Sequence, residues 1–176
     1  MEYDDNGGIK LLKNLFSRKS NASKSKQLYI FNAIDGEIIP IEDTPDDVFA
    51  EKMLGDGFAI KPNGNKVYSP VAGEIKVLFP TLHAVAIETD EGIEFLVHIG
   101  IDTVKLNGEG FIKHIEVGDK VNQGDLLISF DKDVIETKAK SSITPIIITN
   151  MEKISDISID YGTKSKGEKA GTIELK

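Results

Sequence analysis

Residues 80–110, PTLHAVAIETDEGIEFLVHIGIDTVKLNGEG, decide the fold because apolar and polar side chains alternate on both sides of Asp90-Glu91-Gly92. Such alternation around a glycine turn predicts a β-hairpin with one buried face. Each arm carries one histidine, His83 before the turn and His98 after it. A two-residue loop at 90–91 would place the histidines directly opposite each other, whereas a bulge with Gly92 in the left-handed region would shift the register by one residue. Either register brings the imidazoles close together, so the sequence predicts a site at this pair.

Short strand-like segments separated by Gly, Asn and Asp turns continue from Gln27 to the end of the chain. This pattern predicts an all-β, single-domain β-sandwich or barrel of short antiparallel strands with a few helical turns. Two further hairpins are expected, one bracketed by Gly118-Asp119 and Gly124-Asp125 and a closing edge hairpin over residues 162–176.

Two helical turns have capping signals in the sequence. Thr44, followed by Pro45 and two acidic residues, predicts a helix start with the threonine hydroxyl as N-cap. Asp131 predicts a second capped helix over DVIETKAK.

The N-terminal residues differ in composition from the rest of the chain. Residues 1–26 are polar and rich in Ser and Lys, which predicts a flexible tail. Within it, residues 9–19 place apolar side chains on one helical stripe among basic ones, which indicates a short amphipathic helix that contacts a membrane surface or a partner. An incidental periodicity in a frayed tail stays open. The folded domain is expected to comprise residues 27–176.

Composition restricts the chemistry and the partners. The 176 residues contain no cysteine, which excludes disulfides and thiolate sites and fits a reducing cytoplasm. The formal net charge of −8 disfavours nucleic acid and favours basic partners. No apolar run is long enough to span a bilayer.

Two facing histidines permit few reactions. A catalytic zinc site needs at least three protein ligands, and the third histidine, His114, lies in a turn-prone stretch. Covalent phosphoryl transfer needs only a neutral imidazole as nucleophile and a second imidazole that donates a hydrogen bond to the phosphate. From these residues alone, an ordinary structural role for both histidines stays open.

Specific motifs run from about Gln27 onward. The strongest is VHIGIDTV at 97–104, followed by L-x-GEGF at 106–111. The others are PD at 45–46, FAEK at 49–52, GDG at 55–57 with AIKP at 59–62, SPVAG at 69–73, FD at 130–131, KAKS at 138–141 and TP at 144–145. Together these motifs resemble the glucose-type enzyme IIA family of the bacterial phosphoenolpyruvate:sugar phosphotransferase system. The resemblance implies a β-sandwich domain of the barrel-sandwich hybrid type.

The resemblance also implies unequal roles for the two histidines. The histidine of the L-V-H-I-G motif, His98, would accept and donate the phosphoryl group through Nε2. The histidine of the F-x-T-x-H motif, His83, would stabilise the phosphate and be needed to pass it onward. Thr81 would orient His83 by a hydrogen bond. The family needs no cofactor or metal, although adventitious zinc between His83 and His98 stays plausible.

The partners implied by the family are the phosphorylated small carrier HPr and a cysteine-bearing, sugar-specific IIB domain of a IIBC membrane permease. Acidic and apolar residues around the histidines would dock both partners; they are Asp46, Asp102, Phe49, Met53, Phe79 and Leu96. The identity of the sugar is not encoded in this chain, because specificity belongs to the permease.

Three alternatives compete with this interpretation. The unphosphorylated protein would act as a regulatory inhibitor of permeases or metabolic enzymes, as in some relatives. A biotinyl or lipoyl carrier resembles residues 110–131 but requires a Met-Lys-Met or Asp-Lys-Ala turn, which the chain lacks. A zinc peptidase of related fold requires a His-x-His pair, which is also missing.

Overall fold

The computed structural model describes residues 26–176. These residues form fourteen strands, two short α-helices and three 3₁₀ turns. The strands are β1 Gln27–Phe31, β2 Gly36–Pro40, β3 Asp56–Pro62, β4 Lys66–Tyr68, β5 Gly73–Leu78, β6 Ala84–Glu88, β7 Glu94–His98, β8 Phe111–Lys113, β9 Lys120–Val121, β10 Leu126–Phe130, β11 Thr144–Ile148, β12 Ile154–Ile159, β13 Gly162–Lys164 and β14 Lys169–Leu175. The helices are α1 Asp47–Ala50 and α2 Lys132–Lys138, and the 3₁₀ turns are Ile41–Asp43, Thr103–Leu106 and Met151–Lys153.

The strands form three antiparallel sheets. The largest has the order β13-β2-β3-β11-β7-β6-β5-β9, and the two smaller ones have the orders β1-β14-β12 and β4-β10-β8. The large sheet ends in β13 and β9 rather than joining them, so it does not close into a barrel. The all-β prediction is confirmed, in its sandwich form.

Alternation along β7 divides its side chains between two apolar clusters. Phe95 and Val97 are fully buried in the main core, which contains residues of all three sheets. Leu96 points the other way, against a smaller cluster that contains Ile39, Ile41, Phe49, Ala59, Ile101 and Ile147. Each fully buried side chain of this size contributes roughly 1.5–3 kcal/mol to folding. His98 therefore ends a strand that is held from both faces.

The register of the β6–β7 hairpin is the bulged one. Ala84 pairs with His98 and Glu88 with Glu94, which is one residue away from direct pairing of the two histidines. Gly92 has φ of 74°, the left-handed conformation that the bulge requires, and Thr89 N–H donates to Ile93 O across the loop. The alternative with a two-residue loop is wrong. His83 consequently lies just before β6, in a bend rather than in the strand.

The first helix starts later than the sequence predicted. Asp46, not Thr44, is the N-cap of α1, and its carboxylate accepts a hydrogen bond from Val48 N. Thr44 ends the preceding 3₁₀ turn instead, with its N–H bonded to Ile41 O and its side chain buried. The predicted cap of α2 is confirmed, because Asp131 accepts bonds from two N–H groups of the first turn.

The two other predicted hairpins are wrong. Strand β9 pairs with β5 of the large sheet, whereas β10 pairs with β4 and β8. At the C-terminus, β13 pairs with β2 and β14 lies between β1 and β12. Turn residues at 118–125 and around 167 mark real reversals, but the strands that follow find partners distant in sequence.

Candidate functional site

His98, the last residue of β7, is held by the backbone that follows it. Its Nδ1 lies 2.8 Å from the carbonyl oxygen of Gly100. Because a carbonyl can only accept, Nδ1 must carry a proton. In the neutral ring the lone pair is then on Nε2, so that nitrogen is the nucleophile.

The segment after His98 depends on glycine at position 100. Gly100 has φ of 70°, and an added Cβ would lie 2.6 Å from Thr103 Cγ2 and 2.8 Å from Ser141 O. A larger residue would be strained by its backbone and would collide with both neighbours. The glycine of the H-I-G motif is therefore needed to bring a carbonyl back to the imidazole.

His83 is fixed by a side chain rather than by the backbone. Thr81 Oγ1 lies 2.6 Å from its Nδ1, and the residue as a whole is 6% exposed. The bend that carries it has Leu82 in the left-handed region, with φ of 57°. The carbonyl of His83 accepts from Ile99 N at 2.7 Å, which ties the bend to the residue after His98.

The two imidazoles touch edge to face. Their centroids are 4.9 Å apart with an interplanar angle of 77°. Phe49 lies 5.0 Å from His98 on one side, and Phe79 lies 5.3 Å from His83 on the other. Four rings thus form a row, which limits the rotation of both histidines.

Both histidines favour the neutral form. Burial, and then the charge of neighbouring His98, lowers the pKa of His83 to about 4. Burial also lowers the pKa of His98, although the Gly100 carbonyl and the Asp46 carboxylate partly oppose this effect. Near neutral pH the site therefore presents an uncharged nucleophile beside an uncharged imidazole.

The predicted apolar docking residues differ in accessibility. Met53 is 61% exposed and Phe79 is 36% exposed, so both present apolar surface to solvent. Leu96 is half-buried, and Phe49 is 5% exposed beneath the His98 ring. Phe49 therefore supports His98 more than it offers surface.

The two predicted acidic residues are also in different states. Asp46 caps α1 and acts electrostatically on His98. Asp102 has φ of 62° and forms an ion pair with Lys105 at 3.0 Å. Its charge is therefore already partly neutralised within the chain.

His114 is not part of the pair. It is exposed and directly follows β8, in the sheet β4-β10-β8, where its Nε2 bonds to Ser129 Oγ at 2.8 Å. Within residues 26–176, no three His, Cys, Asp or Glu side chains are arranged to hold a metal ion. A catalytic zinc site needs a third protein ligand beside the two histidines, and these residues do not supply one at the site.

Sequence reasoning missed the Gly100 carbonyl and the row of four rings. The carbonyl has no side-chain signature, although a glycine two residues after a strand histidine is a usable signal. The row could not be inferred because Phe49 and Phe79 come from separate segments.

The fold and the pair define an antiparallel β-domain that presents two imidazoles, one with its Nε2 free to react. Comparison with known proteins then gives the family. The model for the phosphoenolpyruvate-dependent sugar phosphotransferase system, EIIA 1, matches residues 28–154, and the chain belongs to this family.

Two similar proteins are named PTS system glucose-specific EIIA component. The one from Halalkalibacterium halodurans is 43% identical over 90% of this chain and 91% of its own. The one from Oceanobacillus iheyensis is 50% identical over 84% and 88%. The solved glucose permease IIA from Mycoplasma capricolum matches with a TM-score of 0.79 and 38% identity, over 84% of this chain and 96% of its own.

The protein is therefore an EIIA component of a sugar phosphotransferase system, a class of phosphotransferase carriers that work with HPr and sugar-specific IIB components. Across the described part of the chain, no helix has the length and apolar character needed to cross a membrane.

Proposed function

We propose that the protein accepts a phosphoryl group from phospho-HPr on Nε2 of His98 and passes it to a cysteine of a IIB domain during sugar uptake. The observation that carries this proposal is the hydrogen bond from His98 Nδ1 to the Gly100 carbonyl. It leaves the Nε2 lone pair free without any general base. Membership of the family supports the choice of donor and acceptor.

The transfer takes two displacements, and in each of them one bond to phosphorus forms while another breaks. In the first, the Nε2 lone pair attacks phosphorus, the P–N bond to the histidine of HPr breaks, and its electron pair returns to that imidazole. In the second, the IIB thiolate attacks phosphorus and the P–N bond to His98 breaks. Positioning and charge stabilisation suffice for both steps.

His83 would assist by hydrogen bonding. If the Thr81 hydroxyl donates to Nδ1, the proton of the neutral ring is on Nε2. That N–H would then donate to a phosphoryl oxygen on His98, whose ring is in contact with it. Thr81 would act by fixing this tautomer.

The face around the pair would dock HPr and the IIB domain in turn. Met53 and Phe79 offer exposed apolar surface, and Asp46 and Asp102 offer negative charge for a basic partner. Phe49 and Leu96 would support the histidines from beneath. The same face would serve donor and acceptor, because Nε2 of His98 receives the phosphoryl group and gives it up on that face.

The names of the relatives suggest the sugar. Because two relatives and one solved structure are named for glucose, we propose a glucose permease as the acceptor. We also propose that the transfer takes place in the cytoplasm, because a sequence without cysteine fits a reducing compartment. Regulation of permeases or metabolic enzymes by the unphosphorylated form stays a prediction. The amphipathic segment 9–19 lies outside the described residues, and its membrane contact stays a prediction too.

Reconstitution with phospho-HPr and a panel of IIB domains tests the proposal. His98→Ala should abolish acid-labile labelling, whereas His83→Gln should still be labelled but fail to pass phosphate to IIB. His114→Gln is the matched control, since His114 follows β8 of another sheet, and it should behave as wild type. Normal labelling of His98→Ala would show that the site assignment is wrong.

A further inference from the structure

The peptide unit between Ile99 and Gly100 has both polar groups bonded to buried threonines. Thr103 Oγ1 donates to the carbonyl oxygen of Ile99 at 2.6 Å. The N–H of Gly100 donates to Thr144 Oγ1 at 3.4 Å. Both threonine side chains are fully buried. One peptide plane next to the reactive histidine is thus held at both ends, by residues from a 3₁₀ turn and from β11.

The neighbouring peptide unit is held as well. Its N–H, that of Ile101, donates to Ser141 O at 2.8 Å, and its carbonyl, that of Gly100, accepts from His98 Nδ1. Thr103 also packs its methyl group against Gly100. Because these bonds fix both peptide planes, groups other than the imidazole determine the direction of the Gly100 carbonyl.

We propose that Thr103 and Thr144 are positioning residues that keep the proton of neutral His98 on Nδ1. A neutral imidazole otherwise exchanges its proton between its two nitrogens, and each molecule with the proton on Nε2 has no lone pair there to attack phosphorus. The two threonines act through the Gly100 carbonyl and do not touch the phosphoryl group. This inference rests on the proposed role of His98 as acceptor.

Isosteric variants separate this role from packing. Thr103→Val and Thr144→Val keep the side-chain shape and remove the hydroxyl, whereas Thr103→Ser and Thr144→Ser keep the hydroxyl. Thr89→Val is the matched control, because Thr89 is 3% exposed and bonds Ile93 N at the opposite end of the hairpin. The readouts are the ¹⁵N chemical shifts of the His98 ring and the initial rate of labelling by phospho-HPr.

Both valine variants should move the two ring nitrogens of His98 toward a mixture of tautomers and slow labelling about tenfold. The serine variants should restore the wild-type shifts and rate. Thr89→Val should lower the free energy of unfolding without changing either readout.

Wild-type nitrogen shifts in both valine variants would overturn the inference. If Thr103→Val does not fold, Thr144→Val decides by the same readouts. Absence of labelling in the wild-type protein would instead refute the proposed function, while the ring shifts would still decide whether the threonines fix the tautomer.

Discussion

The two imidazoles of the site are held by different kinds of group. His98 donates to a backbone carbonyl, which can only accept, so the position of its proton is determined by the fold. His83 faces the Thr81 hydroxyl, which can donate or accept. This difference would suit the unequal roles proposed above: His98 would be the nucleophile, with its lone pair fixed on Nε2, and His83 would be the hydrogen-bonding partner, with its tautomer determined by Thr81.

Disturbing the backbone that holds His98 should have the largest effect. Gly100→Ala should lower the free energy of unfolding by about 3 kcal/mol, because φ is positive and the new Cβ would overlap Thr103 and Ser141. Chemical denaturation and phospho-HPr labelling measure the result, and labelling should fall at least about a hundredfold.

Gly118→Ala is the control for that variant. Gly118 has φ of 93°, but no atom lies within 4 Å of its added Cβ. It should show backbone strain alone, about 1 kcal/mol, with normal labelling. Equal losses in the two variants would contradict the argument from close packing.

Removing the hydroxyl group that holds His83 should affect the two transfer steps differently. Thr81→Val keeps the shape but removes the hydroxyl, so we expect labelling by phospho-HPr to stay within about twofold and transfer to IIB to slow about tenfold. Thr81→Ser should recover the transfer. An equal loss in both steps would show that Thr81 supports the site as a whole.

The burial of His83 should appear as a dependence of stability on pH. An unfolded histidine has a pKa of about 6.5, whereas that of folded His83 is lowered to about 4. Between these values the unfolded state binds more protons, so acidification destabilises the fold. Urea unfolding at pH 7 and pH 5 should show a loss of about 1–2 kcal/mol from this residue. His83→Gln should lack this contribution, and an unchanged pH dependence in that variant would contradict the account.

The smallest effect is expected from an exposed ion pair beside the site. Lys105 pairs with Asp102 on the exposed surface, so Lys105→Gln should change stability by less than about 0.5 kcal/mol. It should nevertheless speed association with basic HPr about twofold at low salt, because Asp102 is no longer neutralised. The gain should vanish at high ionic strength. A gain that persists there would point to a contact other than charge.

The sequence predicted the closeness of the two histidines better than the sheet order. Alternation around Gly92 indicated the hairpin and the closeness of His83 and His98, because these depend on residues near in sequence. The partners of β9, β10, β13 and β14 were not predictable, since local turn residues do not determine which distant strand completes a sheet.

The helix cap shows the same limit on a smaller scale. Thr44 and Asp46 are both good N-cap residues, and only the buried position of Thr44 after its 3₁₀ turn decides between them. The bond from His98 to Gly100 was not predicted either. A carbonyl acceptor is common to every residue, and the only signal for this bond was the glycine two residues after His98. Only the left-handed φ of Gly100 brings that carbonyl back to the ring.

The most direct test is the ring-nitrogen spectrum of the phosphorylated protein. The protein with ¹⁵N-labelled histidine is phosphorylated with phospho-HPr, and the phosphorus coupling of each imidazole nitrogen is measured. The account predicts a phosphoryl group on Nε2 of His98, with Nδ1 still protonated and bonded to Gly100. A phosphoryl group on Nδ1 of His98, or on His83 or His114, would contradict it.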